Sequence, residues 1–237
     1  MELKQSTNIT QFKKKYKGLP ELIRTQGIVK AAVGEQAHLR CQLLESRDVV
    51  QVTWQKILPD GVDDIATYSN FSGSKVNLQY QEKVKIQHAG LQNISIIINR
   101  VEKQDECCYM CLFNAFPEGS LTEHTCLKVY EQHEPILRIM NSNSAVSCSA
   151  TGQPPPTVML KIPGQAFCSS NYTTDTLTNP NGTVTVTASA TLLMSKSNCT
   201  QVGCVVHMFS GDVRELSETF SNASRTPLVV LSVQYSC

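Results

Sequence analysis

Cysteines on short alternating strands constrain this chain most tightly. Cys41 lies in AHLRCQL and Cys111 in CCYMCLF, 70 residues apart. The pattern returns with Cys148 in NSAVSCSA and Cys204 in GCVVHMF, 56 residues apart. Alternate residues of a strand share a face, so a cysteine spaced by two from apolar neighbours points into a core. A bridge between two such strands ties two sheets face to face. Two copies in 237 residues imply two sandwiches of about 100 residues each. The intervening runs QVTWQK, NISIIINRV, PTVMLKI and TVTVTASATLLM alternate rather than follow a helical period, with Gly, Pro and Asn between them. The reading is all-β, two tandem β-sandwiches. An N-terminal tail covers 1–26, the first domain 27–131 and the second 132–225, and a short apolar segment covers 226–237. The boundary falls at VYEQHEP.

Ten cysteines, an even number, indicate a disulfide framework and an oxidising compartment. Seven Asn-x-Ser/Thr acceptors agree: Asn8, Asn70, Asn93, Asn171, Asn181, Asn198 and Asn222. With 13 Asn and 42 Ser plus Thr in the chain, chance supplies only about 2. Sugars on these sites account for the low charged fraction of 17%, because they provide solubility that charges otherwise give. The net charge of +1 gives no electrostatic footprint for nucleic acid or an anionic membrane as main partner. Residues 1–26 contain no apolar run of signal-peptide length, only the basic cluster Lys13, Lys14, Lys15 and Lys17. PLVVLSVQYSC at the other end is shorter than the ~20 apolar residues of a membrane span. The expectation is a truncated or variant product of an extracellular protein, cell-surface and single-pass in its full form, or secreted.

The first segment carries the sharper signature. Trp54 follows Cys41 by 13 residues on QVTWQK, where a buried indole packs against an inter-sheet bridge. Tyr109, two residues before Cys111, has the spacing of a tyrosine corner. Asp105 and Lys83 are placed to form an ion pair at the base of the sandwich. In NISIIINRV, Ile94, Ile96 and Ile98 share the inner face while Asn93 and Asn99 face solvent. Together these features define an immunoglobulin-like domain. The additional run ATYSNFSGSKVNLQY favours the nine-strand variable type. In the second segment Leu160 stands where the tryptophan belongs, and the length suits seven strands of a constant, C2-type domain.

The inter-sheet bridges are Cys41–Cys111 and Cys148–Cys204. Cys108 and Cys126 stand 18 residues apart on what should be adjacent strands, and pair across the ladder. Cys168–Cys199 is the expected extra bridge of the second domain. Cys107 and Cys237 are left over. A zinc alternative, Cys108-x2-Cys111-x12-His124-x-Cys126, has acceptable spacing. However, Cys108 and Cys111 are an odd number of residues apart and point to opposite faces, and Cys111 is already engaged. No metal site, cofactor motif or catalytic fingerprint such as H-E-x-x-H, G-x-S-x-G or a P-loop occurs. The chain does not read as an enzyme.

CCYMCLFNAF, TWQK at 53–56, HAGLQN at 88–93, CLKVY at 126–130, SCSATGQPPP at 147–156 and NPNGTVTV at 179–186 give a resemblance to the OX-2 membrane glycoproteins over residues 28–220. The four-cysteine first domain is similar to that family's arrangement. The resemblance implies a surface glycoprotein with a variable-type and a constant-type domain, a single membrane span and a short tail. It implies a ligand for an inhibitory immunoglobulin-family receptor on myeloid cells, whose engagement dampens immune activation. Departures from the family pattern are Cys107 in place of glycine, Leu160 in place of tryptophan, and the additional Cys168 and Cys199.

By the same resemblance, the front sheet of the first domain docks on the receptor, and Gln55, Lys56, Tyr68, Asn114, Phe116 and Glu118 are the candidate contact residues. Phe116, after the second-cysteine strand, is the candidate anchor. Two other readings share the fold: a homophilic cell-adhesion module, and a secreted decoy form of the ligand.

Overall fold

A computed structural model describes residues 22–88, 90–140, 145–161, 173–191 and 199–221. They form two compact units. The first comprises the chain up to Val29, Gln36–Arg100 and Gln104–Lys128; the second comprises Lys30–Glu35, Val101–Lys103 and the chain from Val129 onward.

In the N-terminal sandwich the strands are β1 (Ile23–Thr25), β2 (Ile28–Ala32), β3 (Ala37–Leu43), β4 (Asp48–Leu58), β5 (Gly61–Ser69), β6 (Gly73–Val76), β7 (Val84–His88), β8 (Asn93–Ile98), β9 (Cys108–Phe116) and β10 (Gly119–Gln132). One sheet has the order β1-β3-β8-β7. The other runs β10-β9-β4-β5-β6, with β2 paired to β10. With β1 and β2 counted as one split strand, this is the nine-strand variable layout. The run after Trp54 supplies the end of β5, then β6 and a short 3-10 turn at Leu78–Tyr80.

Alternation builds the core. Leu39, Cys41, Ile94, Ile96 and Ile98 from one sheet meet Val52, Trp54, Tyr109, Cys111 and Phe113 from the other, all buried. Cys41–Cys111 closes between the sheets with Cα atoms 6.5 Å apart, and Trp54 lies opposite Cys111 in the β4–β9 register. Closing a loop of this length limits the unfolded chain by about 4 kcal/mol. The Tyr109 hydroxyl donates to the Asp105 carbonyl at 2.7 Å, forming the corner. Beside it, Lys83 Nζ reaches Asp105 Oδ2 at 2.8 Å. Burial, with the Asp105 carboxylate nearby, pushes the Tyr109 phenol well above its ordinary value.

One expectation needs correction. Asn93 and Asn99 both lie on the outer row but are half-buried rather than fully exposed, and Asn99 Nδ2 donates to the Lys83 carbonyl at 3.3 Å while its Oδ1 accepts from Gln36 at 2.9 Å. Ile97, on the same outer row, is also buried, because His38 and Lys85 flank it in register.

The second sandwich contains β11 (Ile136–Met140), β12 (Ala145–Gln153), β13 (Thr157–Lys161), β14 (Thr173–Thr178), β15 (Val184–Thr191), β16 (Cys199–His207) and β17 (Val213–Ser221). These make a four-strand layer β11-β12-β15-β14 and a three-strand layer β13-β16-β17, the constant-type division. Cys148–Cys204 joins the layers with Cα atoms 6.3 Å apart. Leu160, opposite Cys204 in register, occupies the tryptophan position and is buried with Val146, Val158, Val202 and Val206. An aliphatic side chain therefore packs against this bridge.

Candidate functional site

Register decides which side chains leave the front sheet. Val52, Trp54, Tyr109, Cys111 and Phe113 point inward, so their odd-spaced neighbours point outward. Directly paired residues of antiparallel strands share a face, and the outward side chains therefore form cross-strand rows. At the foot of the sheet stand Val62, Ile57, Cys108 and Cys126. Above them come Asp64, Gln55, Met110 and His124, and then Thr67, Thr53, Leu112 and Thr122. Gln51, Asn114 and Ser120 form the next row, and Phe116 opposite Asp48 forms the top.

The candidate contact residues divide on this frame. Gln55, Asn114 and Phe116 share the outward face. Gln55 Nε2 donates to Asp64 Oδ1 at 2.7 Å, and Asn114 Oδ1 accepts from the Ser120 hydroxyl at 3.0 Å. Phe116 is 71% exposed where β9 ends, before a two-residue turn of Pro117 and Glu118. Gly119 closes that turn with φ +86°, a conformation that side-chain-bearing residues rarely adopt. Glu118 in the turn pairs with Arg47 at 2.7 Å, and Arg47 also holds Glu45.

Lys56 and Tyr68 lie on the other side. Lys56 pairs with inward Tyr109, and its Nζ donates to the Gln104 carbonyl at 3.0 Å. Tyr68 pairs with inward Val52, and its hydroxyl donates to Asn70 Oδ1 at 3.4 Å. Period two from Trp54 already carried the Lys56 assignment. The signal for Tyr68 was hidden by a bulge: Trp54 pairs with Ala66 but Gln55 with Asp64, leaving Ile65 as an extra, buried residue. Met110, Leu112, Thr122 and His124 belong to the outward face and were missed; their parity against Cys111 was the available sign.

The face is graded in polarity. Val62 is 56% exposed beside Ile57 and the Cys108–Cys126 bridge, so the foot is apolar. The middle is mostly polar, with the Asp64 carboxylate, the His124 imidazole, amides and hydroxyls around Met110 and Leu112. The top combines Phe116 with exposed Val50 in the β4 bulge. Three of the four zinc-alternative donors are consumed in Cys41–Cys111 and Cys108–Cys126, which removes the thiolates a metal would need. Among the described residues no cluster of His, Cys, Asp or Glu could hold a metal. Cys107 is a half-buried free thiol donating to the Ile57 carbonyl at 2.7 Å.

Of the glycosylation candidates, Asn70 and Asn181 are exposed in turns and Asn93 is half-buried at the start of β8. Asn8, Asn171, Asn198 and Asn222 lie outside the described residues, as do Cys168 and Cys237 and therefore the Cys168–Cys199 pairing.

Fold, inter-sheet bridges and tyrosine corner define an immunoglobulin-superfamily protein whose first domain carries the outward rows described above. The immunoglobulin V-set model matches residues 24–130. Human OX-2 membrane glycoprotein is 35% identical over 192 residues, 77% of this chain and 66% of the relative. Its counterpart in Pongo abelii is also 35% identical, over 77% of this chain and 68% of the relative. The chain belongs to the OX-2 membrane glycoprotein family. It spans about two thirds of the length of these relatives. The extracellular portion of mouse CD200RLa superposes with a TM-score of 0.61 at 20% identity, covering 80% of this chain and 96% of that one, a likeness of fold. Among the described residues no helix is long and apolar enough to cross a membrane.

Proposed function

We propose that this chain is the extracellular part of a cell-surface ligand that docks, through the outward face of β10-β9-β4-β5, on an inhibitory immunoglobulin-family receptor of myeloid cells and so restrains their activation. Membership of the OX-2 family supports the class of partner. The observation that carries the reading is the open front face, with a polar middle between an apolar foot and an exposed aromatic at the top. Such a surface suits a transient contact, in which a few anchors act within a polar surround. No covalent step is involved. The contact residues proposed are Gln55, Asn114 and Phe116 on the face and Glu118 at its rim; Lys56 and Tyr68 serve as controls on the opposite side.

A charge-reversal scan tests this. Leu112→Glu and Thr122→Glu should each weaken receptor binding at least tenfold, while Lys85→Glu on the opposite sheet should leave it unchanged. Equal effects from both sheets would refute front-sheet docking. The homophilic reading draws on the same face, since a flat sheet with an apolar row can meet a second copy. Self-association lost with Leu112→Glu, without receptor binding, would favour that reading.

A further inference from the structure

The outward face of the sheet β1-β3-β8-β7 carries charge of one sign. Ile23, Leu39, Cys41, Ile94 and Ile96 point into the core, so their neighbours along each strand point out. Arg24, Arg40, His38 and Lys85 stand on this outward face, and all four are exposed. Ile97 lies between His38 and Lys85 in register, and Asn93 occupies the corner beside Gln42. The other outward positions are amides or a hydroxyl. No outward position on these four strands is Asp or Glu.

The cations of this face also lack counter-charges. Elsewhere basic side chains are paired, as in Arg47–Glu118, Lys83–Asp105, Lys128–Glu106 and Lys161–Glu215. Among the described residues no ion pair holds Arg24, Arg40 or Lys85. The bond from Arg40 to Gln26 Oε1, at 2.8 Å, uses the backbone amide and not the guanidinium. A chain of net charge +1 therefore gathers unpaired cations on one surface. Such a local excess attracts anions even where the whole molecule is close to neutral.

Their arrangement is linear. Arg24 pairs with Gln42, Arg40 and His38 follow along β3, and Lys85 lies two strands beyond His38 in the same row. Strands about 4.8 Å apart, with a rise of about 3.4 Å per residue, give steps of roughly 7–10 Å along this diagonal and about 20 Å in total. A single phosphate needs donors that converge on one point. A track of this length fits an extended polymer that carries anions at intervals. Arginine suits the oxyanions of such a polymer, because its planar fork offers two parallel N–H donors. Between the cations, Ile97 is only 8% exposed and gives the track a closed apolar floor.

We infer that this face binds a sulfated polysaccharide of the heparan sulfate type, with Arg24 and Arg40 on sulfate groups and Lys85 on a further anion. The compartment selects this polymer among polyanions. Disulfides and membership of the OX-2 family place the domain outside the cell, where extended polyanions are sulfated polysaccharides. The two sheets of a sandwich face away from each other, so this surface is separate from the outward face of β10-β9-β4-β5. A sugar on Asn93 borders the track at its corner and is not one of its contacts.

Surface plasmon resonance over an immobilised heparin oligosaccharide tests the inference, using the full glycosylated chain from mammalian secretion. Binding should be saturable. It should fall about tenfold as NaCl rises from about 0.15 to about 0.5 M, because exposed charges are increasingly screened. Arg24→Glu, Arg40→Glu and Lys85→Glu should each weaken it roughly fivefold or more, as expected for charge-assisted contacts. Lys75→Glu, an identical charge change on the front sheet, should stay within about twofold, since its distance from the track leaves only screened interaction. Fully desulfated heparin should not bind, and trimming the glycans should leave affinity the same or tighter. Absence of saturable binding overturns the inference, and so does an equal loss from Lys75→Glu. Undiminished binding to desulfated heparin, or equal binding to phosphatidylserine vesicles, overturns it as well. Loss of binding on trimming would place the contact on the sugars and overturn it too. Should a charge-reversed variant fail to fold, Arg24→Gln and Arg40→Gln decide by the same criteria.

Discussion

Phe116→Ala separates docking from folding. The side chain is 71% exposed at the tip of the β9–β10 hairpin, so its removal takes little from the core and should change unfolding free energy by no more than about 0.5 kcal/mol. Its role at a contact is different. An enclosed aromatic side chain buries ~150–250 Å². On the order of 140 Å² of Phe116 is left for a partner to cover, a ceiling of about 3.5 kcal/mol at ~25 cal/mol per Å². Alanine retains Cβ, and contacts at the end of a sheet keep some water, so about 1–3 kcal/mol is expected. That is about five- to 150-fold in Kd. Surface plasmon resonance of the glycosylated protein against the receptor ectodomain measures it, with urea unfolding in parallel. Leu78→Ala is the control, being more exposed at 82% but located in the 3-10 turn after β6. A Kd within twofold of the parent, with unfolding unchanged, would refute the anchor role.

Tyr109→Phe removes the hydroxyl that donates to the Asp105 carbonyl and should destabilise the first sandwich by about 1 kcal/mol; an unchanged urea midpoint would show that the corner contributes nothing. Lys83→Met leaves the Asp105 carboxylate without its 2.8 Å partner in a nearly buried position and should cost about 2 kcal/mol, with a double-mutant cycle against Asp105→Asn revealing the coupling. Alkaline pH should also destabilise the sandwich. Burial, then the Asp63 bond, pushes Tyr80 up to about 12, and burial raises Tyr109 further. A raised folded value means that the stabilisation is complete below the ordinary phenol value of 10.0 and is lost as pH climbs through about 12. Phenolate absorbance should show Tyr80 ionising only near pH 12 and Tyr109 only with unfolding, whereas titration of both in step with exposed tyrosines would contradict this account.

Class and architecture were legible because they rest on a few spacings with a single geometric meaning. Cys41, Trp54, Tyr109 and Cys111 fix two strands, their inner faces and one corner, and the structure places all four in one core. The outward face of the front sheet was only partly legible. Parity from Trp54 reaches Gln55 and Lys56 without ambiguity and puts them on opposite faces of β4, a difference that residue type alone does not reveal because both are polar. At Tyr68 the alternation itself is broken. The extra residue Ile65 reverses the alternation along β5, and a bulge leaves no compositional mark when the inserted residue is itself apolar. In the second domain, replacement of tryptophan by Leu160 weakened the signature but not the packing, since either side chain can fill the space beside a bridge.

The Cys108–Cys126 bridge has a consequence for the speed of recognition. It cross-links the foot of the β9–β10 ladder across an 18-residue separation, and the ladder is paired without interruption from Cys126↔Cys108 to Gly119↔Ala115. Turn and cross-link together make the hairpin a closed covalent ring that cannot fray at either end. Phe116 sits at the stiff tip of that ring, so little ordering remains to be done when a partner arrives. Under the proposed front-sheet docking, association through such a tip is limited by diffusion and mutual orientation rather than by loop closure. Differences in lifetime between related complexes should then arise in dissociation, where each contact on the face is released.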